Sequence, residues 1–180
     1  MSRFSLPFNL KQQLWLNKTV KFYQRQTVYE AAFVYDDVFA AVDILVNDSN
    51  EYIAYEVKSC TAITETLIKD CALQYYVISK HCCLKDFFLV YVNEQYLNGI
   101  QIPFEEMDES NVDIEQLFIK ESVLSRILPL QDEVRNQIES CKSILGKQEP
   151  SVEMGLQCMS PYECMFTHYC KFKDKDFDIW

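Results

Sequence analysis

The stretch AAVDILVNDSNEYIAYEVKS, residues 40–59, decides the fold and carries the chemistry of this chain. Two apolar runs flank a polar turn, so the stretch reads as two strands of a hairpin. AAVDILV is apolar apart from one carboxylate, Asp43. YIAYEVKS is apolar until Glu56, one spacer and Lys58. Residues two apart on a strand point to the same face, so Glu56 and Lys58 share one. A turn over Asp48 to Glu51 pairs Asn47 with Tyr52 and sets Asp43 opposite Glu56. Two carboxylates and an ammonium then converge on one patch of an apolar hairpin. Like charges directly across a strand pair destabilise it, and Asp, Glu and Lys are seldom buried unless paired. A divalent cation between the carboxylates would reconcile them. An ion pair of Lys58 with Glu56 is the other arrangement the spacing allows.

Working outward, Thr27 to Phe33 is β-prone and carries Glu30 among apolar neighbours. Thr64 to about His81 reads as a helix, with Leu67, Cys71, Gln74 and Ile78 at helical spacing on one side. DFFLVYVN, residues 86–93, is a continuous apolar run that predicts a buried strand. Ile102 to Phe104 is short and extended, and residues 105–115 form an acidic, solvated stretch. Asp113 to Leu145 is expected to be mainly helical, interrupted at Pro129 and stopped at Gly146. Residues 7 to 25 predict a further helix with Leu10, Leu14 and Trp15 on one side. The order α-β-β-β-α-β fits an α/β (α+β) fold, a mixed sheet with helices on its faces. At 180 residues one domain is expected, residues 1–180.

Hydrophobic residues make up 49% of the chain and glycines number only 3, enough for a core and unlike a disordered segment. No apolar run approaches the ~20 residues that span a bilayer, and the N-terminus lacks the pattern of a signal peptide. A cytoplasmic location and no membrane partner are therefore expected, and in that compartment 8 cysteines serve as thiols or metal ligands rather than disulfides. The net charge of −10 disfavours a nucleic-acid partner, but it is unevenly spread. Residues 1–29 hold Arg3, Lys11, Lys18, Lys21 and Arg25 and no acid, so they carry +5 and the remainder −15. Such a basic segment can contact phosphates, or serve as a solvated helix face.

The tail holds Cys158, Cys164 and Cys170, three cysteines within 13 residues, around Pro161. Soft thiolates at this density suit zinc or an iron–sulfur cluster. Cys141 and His168 are the other candidate ligands. Cys60, Cys71, Cys82 and Cys83 lie in or near core elements and read as small buried hydrophobes.

The combination DILV…YEVKS, the following KDCALQYYVIS, the upstream TVYEAAFVYDD and the tail LQCMSPYECMFTHYC resembles the PD-(D/E)xK nuclease superfamily. Within it the chain is most similar to the RecB-like and Cas4-like branch and its DUF2779 family. The match covers roughly residues 27–93 and 155–171. The resemblance implies a restriction-endonuclease-like core and a Mg²⁺- or Mn²⁺-dependent nuclease, an exonuclease acting on DNA. It implies Asp43, Glu56 and the Val57 carbonyl as metal ligands, Glu30 as an additional carboxylate, and Lys58 and Gln74 as catalytic groups. It also implies a [4Fe–4S] cluster on Cys158, Cys164 and Cys170, with zinc the alternative. The chain departs from the pattern in two places. Ile78 stands where RecB-like nucleases carry Tyr four residues after the Gln, and Leu10 stands where the fourth cluster cysteine would fall before Leu14-Trp15-Leu16. The fourth ligand is thereby left to Cys141 or His168, or the centre is lost. A nuclease-like domain that only binds DNA or a protein is the alternative to an enzyme.

Overall fold

The computed structural model describes residues 26–100, 106–107 and 111–173. The expected N-terminal helix over 7–25, with most of the basic segment, and the extended piece at Ile102 to Phe104 lie outside the described residues. Backbone contacts divide the chain into two compact units, Met1–Ile138 and Glu139–Trp180.

The first unit is built on a five-stranded sheet, β1 (Thr27–Tyr35), β2 (Val38–Asp48), β3 (Glu51–Lys58), β4 (Leu84–Val92) and β5 (Phe118–Ser122), in that spatial order. Strands β3 and β4 are parallel, and the other neighbours are antiparallel. Both hairpins close through two residues with positive φ: Asp36 and Asp37 at 53° and 59°, Ser49 and Asn50 at 59° and 74°. Positive φ at both central positions is the type I′ pattern, which matches strand twist and favours Asn and Asp. The second turn is tied by the Asn50 N–H donating to Asn47 Oδ1 at 3.0 Å. It sets the expected register, with Asn47 across from Tyr52 and Asp48 across from Glu51.

A parallel pair needs a crossover, and helix α1 (Glu65–Ile78) supplies it between β3 and β4. Thr64 caps it, its hydroxyl accepting the Leu67 N–H at 3.3 Å. Cys71, Gln74 and Ile78 are buried, and Leu67 packs on the core, as the helical spacing requires. α1 lies on β1, β2 and β4. It covers the face to which Tyr52, Ala54 and Glu56 point, whereas Ile53, Tyr55 and Val57 face the other way. Phe87 and Leu45 are fully buried in this core, each contributing about 2 kcal/mol by removal from water.

One sequence expectation needs correcting and another needs an addition. Residues 86–93 were expected as a buried strand. The strand runs from Leu84 to Val92, and only one face is buried, through Leu84, Phe87 and Leu89. The span Asp113 to Leu145 is mainly helical with an interruption at Pro129, as expected, but it also contains a strand that was not expected. It holds a short helix α3 (Ile114–Leu117), strand β5, α4 (Leu124–Ile127), a 3₁₀ turn through Pro129, and α5 (Gln131–Ile144). The segment FIKES of β5 has helix-tolerant Lys and Glu and exposed side chains, yet it pairs antiparallel with β4, Leu89 against Glu121 and Tyr91 against Ile119. β4 supplies the backbone partners for this segment, and they are distant in sequence. Asp86 secures the join, accepting from Ser122 Oγ at 2.6 Å. A short helix α2 (Glu94–Gly99), capped by Asn93, follows β4.

In the second unit the chain leaves α5 at Gly146, whose φ of +77° ends the helix as expected. The remainder is mostly irregular, with a 3₁₀ turn at Leu156–Cys158 and helix α6 (Thr167–Lys173). Among its described residues Met154, Cys158 and Thr167 are buried. The Glu149 carboxylate accepts from Tyr169 Oη and from Lys173 Nζ, each at 2.8 Å.

Candidate active site

The β2–β3 hairpin brings the two central carboxylates together, with an irregularity that makes the site. The β2–β3 ladder runs from Asp48 and Glu51 to Ile44 and Tyr55 and stops there. In that register Asp43 falls opposite Glu56. The next link is not backbone to backbone: Asp43 Oδ2 accepts the Val57 N–H at 2.7 Å. β1 breaks at the same level. Its ladder with β2 skips Glu30, which stands opposite Asp43 between the pairs Tyr29 with Ile44 and Ala31 with Val42. Glu30 has φ +52° and is exposed. A non-glycine residue in the left-handed region within a strand is strained. Here it accompanies a switch of faces in both strands, since Val28 and Ala31, and likewise Val42 and Leu45, are all buried.

Glu56 follows Tyr52 and Ala54 onto the α1 side and is 6% exposed. Its Oε1 lies 2.8 Å from Lys58 Nζ, the ion pair the two-residue spacing allows. Lys58 Nζ also lies 3.1 Å from Asp70 Oδ2 on α1. Asp70 was not singled out from the sequence. The signal was there in its spacing, because Asp70 and Gln74 stand four apart on one helix and so rise from neighbouring positions on its surface. Gln74 is 7% exposed. Glu56 Oε2 and Gln74 Oε1 are buried and have no hydrogen-bond partner. Two acceptors are thus withdrawn from water without a hydrogen bond of good geometry, although the neighbouring Gln74 amide favours ionised Glu56; a cation or an ordered water would complete the arrangement.

The electrostatics follow from the burial. Desolvation pushes the Glu56 carboxyl above the ordinary glutamate range; Lys58 and Gln74 oppose the shift, and the nearby Asp43 charge adds to it. Burial alone would lower Lys58, but its hydrogen bonds and charge contacts with Glu56 and then Asp70 outweigh burial and hold the ammonium above the usual lysine range. Both partners thus favour the charged form of Lys58. Burial pushes the Cys71 thiol, beside Asp70 in sequence, up to about 12, so it is no nucleophile.

The donor set fits a hard divalent cation in kind. Asp43 and Glu56 supply oxygen ligands, one of them the orphaned Oε2, and Mg²⁺ takes one or two carboxylates with the rest of its shell from water and phosphate. Among the described residues no group of three or more His, Cys, Asp or Glu side chains is drawn together to hold an ion. That applies to the tail as well. Cys158 is buried, Cys164 and Cys170 are half-buried, Cys141 and His168 are exposed, and all eight thiols are free. The Cys164 N–H donates to the Cys158 carbonyl at 2.8 Å, which brings those two backbones together. Of the cysteines expected to be buried hydrophobes, Cys71 is fully buried, Cys82 and Cys60 are half-buried, and Cys83 is exposed in the turn after α1. No helix of the described residues is long and apolar enough to cross a membrane. Compared with models of protein families and with curated proteins, the chain matches none.

Proposed function

We propose that the chain is a divalent-metal-dependent nuclease that hydrolyses phosphodiester bonds in DNA at the Asp43–Glu56–Lys58 site. The observation that carries this reading is the buried carboxylate oxygen Glu56 Oε2, without a hydrogen bond of good geometry, beside Asp43, Gln74 and Lys58. Asp43 and Glu56, with the Val57 carbonyl, would hold Mg²⁺ or Mn²⁺; Glu30 is the outlying carboxylate. When bound, such a cation neutralises phosphate charge and makes water a better nucleophile near neutral pH. Lys58 donates to the phosphate as negative charge grows in the transition state. Gln74 Oε1 accepts an O–H of the attacking water and fixes its orientation. Asp43 holds the Val57 N–H and thereby keeps the end of β3 in place.

DNA as substrate and exonuclease action are what the resemblance to the PD-(D/E)xK superfamily implies, and the basic segment over residues 1–29 is compatible with phosphate contacts. In the same reading Cys158, Cys164 and Cys170 are ligands of a soft metal centre, an iron–sulfur cluster or zinc. Their thiol chemistry fits such a centre, but the side chains are not gathered into a ligand set, and no catalytic step depends on it. The test is cleavage of end-labelled single- and double-stranded DNA by purified protein with Mg²⁺ or Mn²⁺. Activity that chelator and Asp43→Asn both abolish is the expected result. Absence of metal-dependent cleavage on every substrate would leave a binding domain.

A further inference from the structure

Lys58 is shared. Its ammonium carries three donors and reaches Glu56 Oε1 at 2.8 Å and Asp70 Oδ2 at 3.1 Å. The two acceptors differ in setting. Glu56 is deeply buried on the sheet, whereas the Asp70 side chain is 43% exposed on α1. Glu56 is also the carboxylate with the orphaned oxygen. A cation on Glu56 Oε2 and an ammonium on Oε1 of the same carboxylate repel each other, which weakens the hold of Glu56 on Lys58. Asp70 is the second carboxylate already in contact with Lys58. We propose that Asp70 is a positioning residue that receives Lys58 when a divalent cation takes Glu56. It lowers the cost of cation entry and keeps the ammonium beside the site. The inference rests on the reading of Asp43 and Glu56 as a cation site, and it concerns binding as well as turnover.

Without Asp70, Lys58 has Glu56 as its remaining partner in this cluster, and cation binding must leave a half-buried ammonium unpaired. Asp70→Asn should therefore weaken Mn²⁺ binding by about fivefold, the upper end of what an exposed ion pair is worth. Asp70 also carries a negative charge that could attract the cation directly. The Lys58→Met background separates the two effects. If Asp70 acts through Lys58, Asp70→Asn changes Mn²⁺ affinity by less than about twofold once Lys58 is gone.

The experiment is calorimetric titration of the full chain with Mn²⁺, for the wild type, Asp70→Asn, Asp70→Glu, Lys58→Met and Lys58→Met/Asp70→Asn, with thermal unfolding as the check on folding. Should Asp70→Asn not fold, Asp70→Ser takes its place. The expected pattern is weakened binding in Asp70→Asn, near-recovery in Asp70→Glu, and no further loss in the double variant. Wild-type affinity in Asp70→Asn overturns the proposal, as does an equal loss in the Lys58→Met background, which would make Asp70 a distant charge only. A wild-type protein that binds no Mn²⁺ overturns the cation site itself and this inference with it.

Discussion

Replacing Asp43 by Ala and by Asn separates its two jobs. Its Oδ2 accepts the Val57 N–H at 2.7 Å where the β2–β3 ladder has stopped, and its charge faces Glu56. A hydrogen bond to a charged group contributes about 1.5–3 kcal/mol when enclosed. Val57 is 41% exposed, so water takes over part of the bond once the carboxylate is gone. Asp43→Ala should therefore destabilise the first unit by about 1 kcal/mol, roughly 3 °C in thermal midpoint for a unit of this size. Asp43→Asn keeps an acceptor for the N–H and removes the charge that opposes ionised Glu56, so it should stay within about 0.5 kcal/mol of wild type. Both variants should lose metal-dependent cleavage, since neither supplies the second anionic ligand. Thermal and urea unfolding of the metal-free protein, with the DNA cleavage assay alongside, decide the matter. An Asp43→Ala protein as stable as Asp43→Asn would refute the bridging hydrogen bond. Wild-type cleavage by both would refute the site.

The remaining expectations are more local. Lys58→Ala should retain Mn²⁺ binding by calorimetry and lose turnover, because an ammonium is no ligand for a hard cation and acts on the transition state; unchanged activity would reduce Lys58 to an ion-pair partner. Glu56 has a raised carboxyl, so in the metal-free protein its favourable contribution to stability is fully present below the unfolded glutamate range and is lost as pH rises through the folded value. Cation binding needs the ionised form and should fall away with decreasing pH above the ordinary glutamate range. In Asp43→Asn the like charge is gone, so the Glu56 titration, followed by NMR of the metal-free protein, should move to lower pH. Phe87→Ala, at a fully buried position, should cost about 3–5 kcal/mol in urea unfolding. In the tail, anaerobic purification should yield brown protein with iron and sulfide, and Cys158→Ser, Cys164→Ser or Cys170→Ser should remove the colour and lower stability. Colourless protein with one zinc would point to His168 or Cys141 as fourth ligand, and neither metal with freely titratable thiols would show no centre.

The hairpin at the heart of the molecule was legible from residues 40–59 alone, because everything that determines it is local. A polar turn with Ser49-Asn50 at its centre sets the register, and strand parity then places Glu56 and Lys58 on one face and Asp43 across from Glu56. The face of α1 was equally local, written in the spacing of Cys71, Gln74 and Ile78, although the helix stops at Ile78, short of the expected His81. Tertiary structure decided what local pattern could not carry. β5 is fixed as a strand by its pairing with β4, and the β-prone Phe118 and Ile119 alone did not mark it out within a span that otherwise reads as helical. Asp70 joins the site because the crossover lays α1 across the sheet, bringing a helix carboxylate to Lys58. The Glu30 kink and the Asp43 link to Val57 arise where two ladders break at one level. Periodicity reports which face a side chain takes; which distant group it meets there depends on how the layers pack.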